Sequence, residues 1–201
     1  MHQTWLQIRS LLETRSCLSL FDLNPPASAD AIRSLERHIR LSLPQSFKEL
    51  LALHNGQGPG RKCGLFFGDE FLSITEIQTQ WDNWKSLEDE NLNEELASSM
   101  SSQPPGVVKP HYLNSRWVPF THDGGGNHSA LDFDPDSEGH IGQVIAFGRD
   151  EDEKKLLGSS FEDFLSQFQR RLLSVRWSLV EGYWKFEEPQ YRCHYHAWPV
   201  L

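Results

Sequence analysis

The chain has 201 residues, of which 38% are hydrophobic, 23% charged and 11% aromatic. That length and balance argue for one folded domain that builds its core without a metal or disulfide, and they exclude a disordered or collagen-like chain. With 19 Lys and Arg against 28 Asp and Glu, the net charge is −9; no strong basic cluster stands out, so nucleic acid and anionic membrane fall away as partners and basic proteins rise.

Residues 4–14 carry Trp5, Ile8, Leu11 and Leu12 at helical spacing. Asn24-Pro25-Pro26 interrupts the pattern, and Ser28 then N-caps a helix with Asp30 in its first turn and Ile32, Leu35 and Ile39 on one face. Pro44 opens a third helix that buries Phe47, Leu50 and Leu51 and is closed by Asn55-Gly56. Gly64-Leu65-Phe66-Phe67 reads as a short buried strand. Ser73 and Glu76 have capping-box spacing ahead of Ile74, Ile77, Trp81 and Trp84. Residues 88–95 form an acidic run, and 98–106 (SSMSSQPPG) read as a flexible surface loop.

The period then changes. Trp117-Val118-Pro119-Phe120, Ala130-Leu131-Asp132-Phe133 and Val144-Ile145-Ala146-Phe147 read as strands, the last two joined by a long hairpin loop with Pro135, Asp136, Gly139 and Gly142. Ser159 or Ser160 caps a helix with Phe161, Phe164, Leu165, Phe168 and Leu172 inward. Aromatic residues crowd the end: Tyr183, Trp184, Phe186, Tyr191, Tyr195 and Trp198. Early helices, central strands and a returning helix give an α+β order. The predicted domain covers residues 1–186, with helices in 4–54, a sheet region in 64–147 and a closing helix at 159–173; residues 187–201 form an aromatic tail.

Cys17, Cys63 and Cys193 contain no C-x-x-C and fit free thiols in a reducing cytoplasm. The opening MHQTWLQIRS turns polar too soon for a secretory signal, and no stretch approaches the roughly 20 apolar residues of a membrane span. A cytoplasmic protein is expected.

Asp132-Phe-Asp134-Pro-Asp136-Ser-Glu138 begins like a calcium loop, but Ser137 and Gln143 stand where an EF-hand needs Gly and Glu. His122-Asp123-Gly124-Gly125-Gly126-Asn127-His128 has two imidazoles and a carboxylate around a glycine turn, either a metal or small-ligand site or a plain turn between strands. Gly56-Gln57-Gly58-Pro59-Gly60 follows a helix, so it is a loop and not a dinucleotide fingerprint. Cys193-His194-Tyr195-His196 reads as loose tail. No carboxylate stands in the apolar context of a tuned acid or base. Trp81, Trp84 and Trp117 are either anchors for a protein partner or core.

Five blocks carry a family resemblance. Leu43-Pro44-Gln45-Ser46-Phe47-Lys48-Glu49-Leu50-Leu51 running to His54-Asn55-Gly56, then Leu72-Ser73-Ile74-Thr75-Glu76-Ile77 with Trp81, resemble the opening blocks of the SUKH superfamily. Trp117-Val118-Pro119-Phe120 with Asp123-Gly124-Gly125-Gly126, Leu131-Asp132-Phe133 through Ile145, and Ser160-Phe161-Glu162-Asp163-Phe164-Leu165 are similar to the later ones. The Smi/Knr branch, with a fungal cell-wall assembly regulator and bacterial relatives, is the nearest likeness. The resemblance implies a SUKH-like α+β fold, a mixed twisted β-sheet with helices packed against it, with no enzymatic activity and no cofactor. It further implies a bacterial immunity protein that neutralises a basic toxin domain, or alternatively a regulatory scaffold of cell-wall assembly. An enzyme or ligand binder at His122, Asp123 and His128 is the third reading. The acidic loop residues Asp69, Glu70, Glu88, Asp89, Glu90, Asp134, Asp136 and Glu138 are the predicted partner-binding positions.

Overall fold

The computed structural model describes residues 1–191, 193 and 194, and of Asp89 the backbone only. The helices are α1 (His2–Thr14), α2 (Ala29–Ile39), α3 (Gln45–Leu51), α4 (Ile74–Lys85), α5 (Leu92–Glu95) and α6 (Phe161–Ser174). The strands are β1 (Glu70–Phe71), β2 (Ser101–Gln103), β3 (Trp117–Pro119), β4 (Thr121–His122), β5 (Asn127–Asp132), β6 (Gln143–Gly148), β7 (Glu153–Gly158), β8 (Trp177–Val180) and β9 (Tyr183–Phe186). Five strands form a mixed sheet in the order β2-β7-β6-β5-β3, in which β2 runs parallel to β7 and the other pairs are antiparallel. This is the expected α+β architecture.

Every residue of β5 and β6 is buried, which is unusual for an antiparallel pair and requires cover on both faces. The strand period sorts the side chains. Val118, Leu131, Val144 and Ala146 face the main core with α1, α3 and α6, where Phe66 packs ring to ring with Phe71, Phe120, Phe164 and Phe168. Trp117, Ala130, Ile145 and Phe147 face the other way, into a smaller cluster roofed by Trp84, Val107 and Val108.

Local chemistry sets the helix starts. The Ser28 hydroxyl accepts from Ala31 N–H and the Ser160 hydroxyl from Asp163 N–H, while Ser73 and Glu76 form the full reciprocal capping box. Two boundaries differ from expectation. Pro44 is the N-cap of α3, one residue before its first turn, and α3 ends at Leu51. Asn55-Gly56 instead turns the chain back toward α4. Gly56 has φ +71, and a Cβ there would lie 2.3 Å from the Ser73 nitrogen, so only glycine fits. The Asn55 side chain accepts from Ile74 N–H at 2.9 Å and joins the cap of α4.

Gly64 to Phe67 is not a strand. Phe67 takes φ +52, Gly68 N–H donates to the Gly64 carbonyl, and the chain doubles back so that Phe66 bridges Asp69. Leu65, Phe66 and Phe67 are nonetheless fully buried. Phe66 exchanges backbone bonds with Asp69, the Phe67 carbonyl accepts from His194 N–H, and the Leu65 N–H and the flanking groups are met by Gln57, which is 2% exposed. Its amide nitrogen donates to the carbonyls of Phe21 (2.7 Å) and Cys63 (2.9 Å), and its oxygen accepts from the N–H groups of Leu65 and Phe71 (both 2.9 Å). All four hydrogen-bonding positions of the amide are filled.

Residues 98–106 also differ from the loop expectation, since Ser101–Gln103 is the edge strand β2. The tail is not loose where it is described: His194 N–H donates to the Phe67 carbonyl at 2.7 Å, and the Cys193 thiol donates to the Trp184 carbonyl at 3.1 Å. Tyr195, His196 and Trp198 lie outside the described residues.

Gln57→Leu keeps the volume but orphans two carbonyls and two N–H groups. It is expected to cost about 3 kcal/mol or more of unfolding free energy, read from the urea midpoint at unchanged slope.

Candidate partner-binding surface

The glycine turn between β4 and β5 is built around Asp123. One of its carboxylate oxygens accepts from the N–H groups of Gly125, Gly126 and Asn127 at 2.7–3.0 Å, and the other accepts from the Asn127 side chain at 2.8 Å. His122 Nδ1 accepts from Gly124 N–H at 3.1 Å. His128 is fully buried between Trp84 and Phe147. Its Nδ1–H donates to the Thr121 carbonyl at 2.7 Å, and its Nε2 accepts from the Trp84 indole N–H at 2.9 Å. Both ring nitrogens are therefore used within the fold, and the imidazole is fixed as one neutral tautomer. Burial lowers its pKa to about 4, against the opposing pull of the Thr121 carbonyl. The three predicted ligands adjoin, but each is engaged in holding the turn. Among the described residues no three His, Cys, Asp or Glu side chains converge to hold a metal ion.

The described tryptophans turn inward. Trp5, Trp81, Trp117, Trp177 and Trp184 are buried, and Trp81 donates to the Ser115 carbonyl at 2.8 Å. They are core residues.

The acidic candidates divide into two places. Glu88 and Glu90 are exposed on a short 3-10 turn, and Glu88 accepts from Ser115 N–H at 3.2 Å. The β5–β6 hairpin binds the same 106–116 segment: Asp134 accepts from Lys109 at 2.7 Å and Asn114 at 2.9 Å, and the backbone N–H groups of Asp136 and Glu138 donate to the Val107 and Gly106 carbonyls. The side chain of Asp89 lies outside the described residues. Both acidic stretches thus contact the 106–116 segment, whose own cations are Lys109, bound to Asp134, and exposed Arg116, which donates to the Phe133 carbonyl at 3.2 Å.

The calcium-loop likeness dissolves in the same geometry. Asp132 is fully buried, accepting from Asp134 N–H and the Gln143 side chain, and burial raises its pKa although those bonds oppose it. For Asp134, partial burial pushes upward, but the bonds from Lys109 and Asn114 prevail and hold the carboxyl below its usual value.

Asp69 and Glu70 sit elsewhere, beside β4, and their expected surface role needs correction. Asp69 is fully buried because the chain doubles back at Phe67, and its carboxylate meets His194 Nδ1 at 2.8 Å. Glu70 is mostly covered and paired with Arg61, and burial raises its pKa against that pairing. Asp69 and Asp132 are thus the carboxylates in apolar surroundings that the sequence did not reveal. It also missed Lys154, fully buried on β7, whose ammonium donates to the Glu151 carbonyl and whose pKa burial lowers to about 8.

An open cleft of about 690 Å³ beside α1 is lined by Arg9, Glu13, Asp22 and His54 among others. Its polar groups largely satisfy one another: Arg9 pairs with Glu13 at 2.9 Å, and Asp22 accepts from Gly60 N–H at 2.7 Å. No reactive constellation is assembled there.

The sequence profile of the SMI1 / KNR4 family (SUKH-1) matches residues 26–167, most of the chain. The chain belongs to this family. It is similar to a glucan synthesis regulatory protein of Neurospora crassa (30% identical, 81% of this chain and 36% of that one), and to the cell wall biosynthesis/cell cycle regulator smi1 of Schizosaccharomyces pombe (32%, covering 81% and 32%). The cell wall assembly regulator SMI1 of Saccharomyces cerevisiae is 26% identical, over 79% of this chain and 38% of that one. This SMI1 / KNR4 chain spans about a third of the length of those relatives. Their names are those of regulators. They overturn the expectation of a bacterial immunity protein directed at a toxin: the similarity runs to fungal cell-wall regulators. Among the described residues no helix is long and apolar enough to cross a membrane.

The His128 geometry fixes a pH response. Its folded pKa of about 4 lies below the ordinary 6.5, so its contribution is complete above pH 6.5 and is lost as pH falls toward 4. Over that window this site is expected to remove up to about 3 kcal/mol, measured by urea unfolding at a series of pH values. Trp84→Phe deletes the donor to Nε2 and should flatten the dependence.

Proposed function

We propose that this SMI1 / KNR4 chain is a non-catalytic, protein-binding module of a regulatory scaffold for cell-wall assembly, acting in the cytoplasm with its three cysteines as free thiols. The observation that carries the reading is its similarity, across about four-fifths of its length, to proteins named as regulators of glucan synthesis and of cell-wall assembly. Two features support a binding role. The turn that looked most like a reactive site spends its polar groups on its own backbone. Trp5, Trp81, Trp117, Trp177 and Trp184 are used in the core, and charged side chains are available on the surface for recognition.

Residues 1–186 act as the binding domain in this reading. The acidic stretches around the 106–116 segment are its partner face, with Glu88, Glu90, Asp136 and Glu138 as the contact residues and a protein bearing basic side chains as the partner. Carboxylates in this arrangement raise the encounter rate more than the final affinity, and salt screens them.

A chimaera provides the test. The matching segment of the Saccharomyces cerevisiae relative is replaced by this chain and returned to a strain lacking that relative. The chimaera is expected to restore growth on a wall-binding dye. Reversing Glu88, Glu90, Asp136 and Glu138 to Lys together is expected to abolish the rescue while shifting the thermal midpoint by only a few degrees. Full rescue by the reversed chimaera refutes the assigned face; no rescue by the unaltered, folded chimaera refutes the regulatory reading.

A further inference from the structure

The composition shows no basic run, yet the fold makes a basic surface. Arg33, Arg37 and Arg40 stand at i, i+4 and i+7, which places them on one exposed stripe of α2 and its C-cap. Together with Glu36, Leu41 and Ser42 they line a cleft of about 320 Å³. The one carboxylate of that lining, Glu36, is engaged through one oxygen, which pairs with Lys48 at 3.3 Å and accepts from Leu43 N–H at 2.9 Å. Arg33 meets only the highly exposed Asp30 of its own helix, a pairing that water screens. Arg37 and Arg40 have no ion-pair partner among the described residues, although the chain carries 28 acidic residues.

Arg40 extends the stripe past the end of the helix. It closes α2 in the left-handed region, with φ 57° and ψ 34°. Glycine takes that conformation at no steric cost, and a long side chain does not. The helix dipole rewards a cation near this end, but Arg37 and His38 already supply it in the last turn. Arg40 is one of seven non-glycine residues with positive φ among the described residues, and its position at the cap adds a third guanidinium to the stripe beside two like charges.

We infer that this cleft binds a phosphorylated serine or threonine side chain presented by a partner protein. Guanidinium forks match the oxygens of a phosphate dianion bidentately, and three of them around a small concavity suit one doubly charged group. Exposed Ser42 also lines the cleft, and partly buried Leu41 gives an apolar wall for a flanking residue. A nucleic acid strand or an anionic membrane fits less well. Either would carry its extended negative charge past a molecule whose net charge is −9. This inference stands on the cleft alone and does not depend on the wall-regulatory reading.

The test is an NMR titration of the full 15N-labelled chain with N-acetyl-O-phosphoserine methylamide, with N-acetylglutamate methylamide as the carboxylate control and phosphatidylcholine–phosphatidylserine vesicles as the lipid arm. The phosphoserine probe is expected to give saturable shifts centred on the amides of residues 33–42, with a dissociation constant at least roughly fivefold below that of the glutamate probe. Arg37→Ala combined with Arg40→Gly should weaken that binding about tenfold. Arg40→Gly alone should leave the thermal midpoint unchanged or raised, since glycine suits the cap, so a loss of binding cannot be blamed on unfolding. Equal response to the glutamate probe, shifts scattered over other surfaces, an undiminished response in the double variant, or vesicle binding through Arg37 and Arg40 without a phosphoserine response would each overturn the assignment.

Discussion

One buried side-chain amide ties together four backbone groups in the part of this fold that has no regular structure of its own. Gln57 links the carbonyls of Phe21 and Cys63 to the N–H groups of Leu65 and Phe71, and its own N–H donates to the Phe71 carbonyl at 2.8 Å. Between α3 and α4 the chain must cross the aromatic core, carrying Leu65, Phe66 and Phe67 inside with a backbone that no sheet satisfies. A buried peptide group without a partner costs as much as a good apolar contact gives. The amide removes that cost at four points, and Gly56 lets the knot close against the start of α4. The tail uses the same turn, since His194 binds the Phe67 carbonyl and Asp69.

The second constraint is the double burial of β5 and β6. Covering the far face takes Trp84, Val107 and Val108, and placing His128 under Trp84 takes its two ring nitrogens. Side chains that could have made a catalytic or anchoring surface are therefore committed to packing. Outside, beside exposed apolar side chains such as Ile141, Leu173 and Tyr183, the topology sorts charge into acidic stretches around the 106–116 segment and an arginine stripe on α2. The domain therefore carries two charged surfaces of opposite sign on one folded body.

Much of the fold was legible in the sequence because it is written in local signals. The caps at Ser28, Ser73 and Ser160 and the apolar stripes of α2, α4 and α6 all lie within a few residues of one another. The misses share a cause, which is dependence on distant partners. Gly64 to Phe67 is apolar enough for a strand, but the left-handed Phe67 and the Gln57 staple fold it into a turn. The lysines of Glu153-Lys154-Lys155 hide β7, since Lys154 points inward and is covered. Without β7, nothing in Ser101-Ser102-Gln103 marks an edge strand. Asp69 looks like a surface acid until the doubled-back chain buries it. The arginines of α2 are three and four residues apart, so they form a cluster only once the helix does.

Native-state hydrogen exchange addresses the central claim at residue resolution. The amide protons of Leu65 and Phe71 donate to the Gln57 oxygen, and those of Ala130 and Ile145 lie in the middle of the β5–β6 ladder. If the Gln57 knot is the keystone, all four exchange with the same free energy, that of global unfolding, and lose protection together as urea is raised. Exchange of Leu65 and Phe71 through a local opening several kcal/mol below the sheet would contradict it.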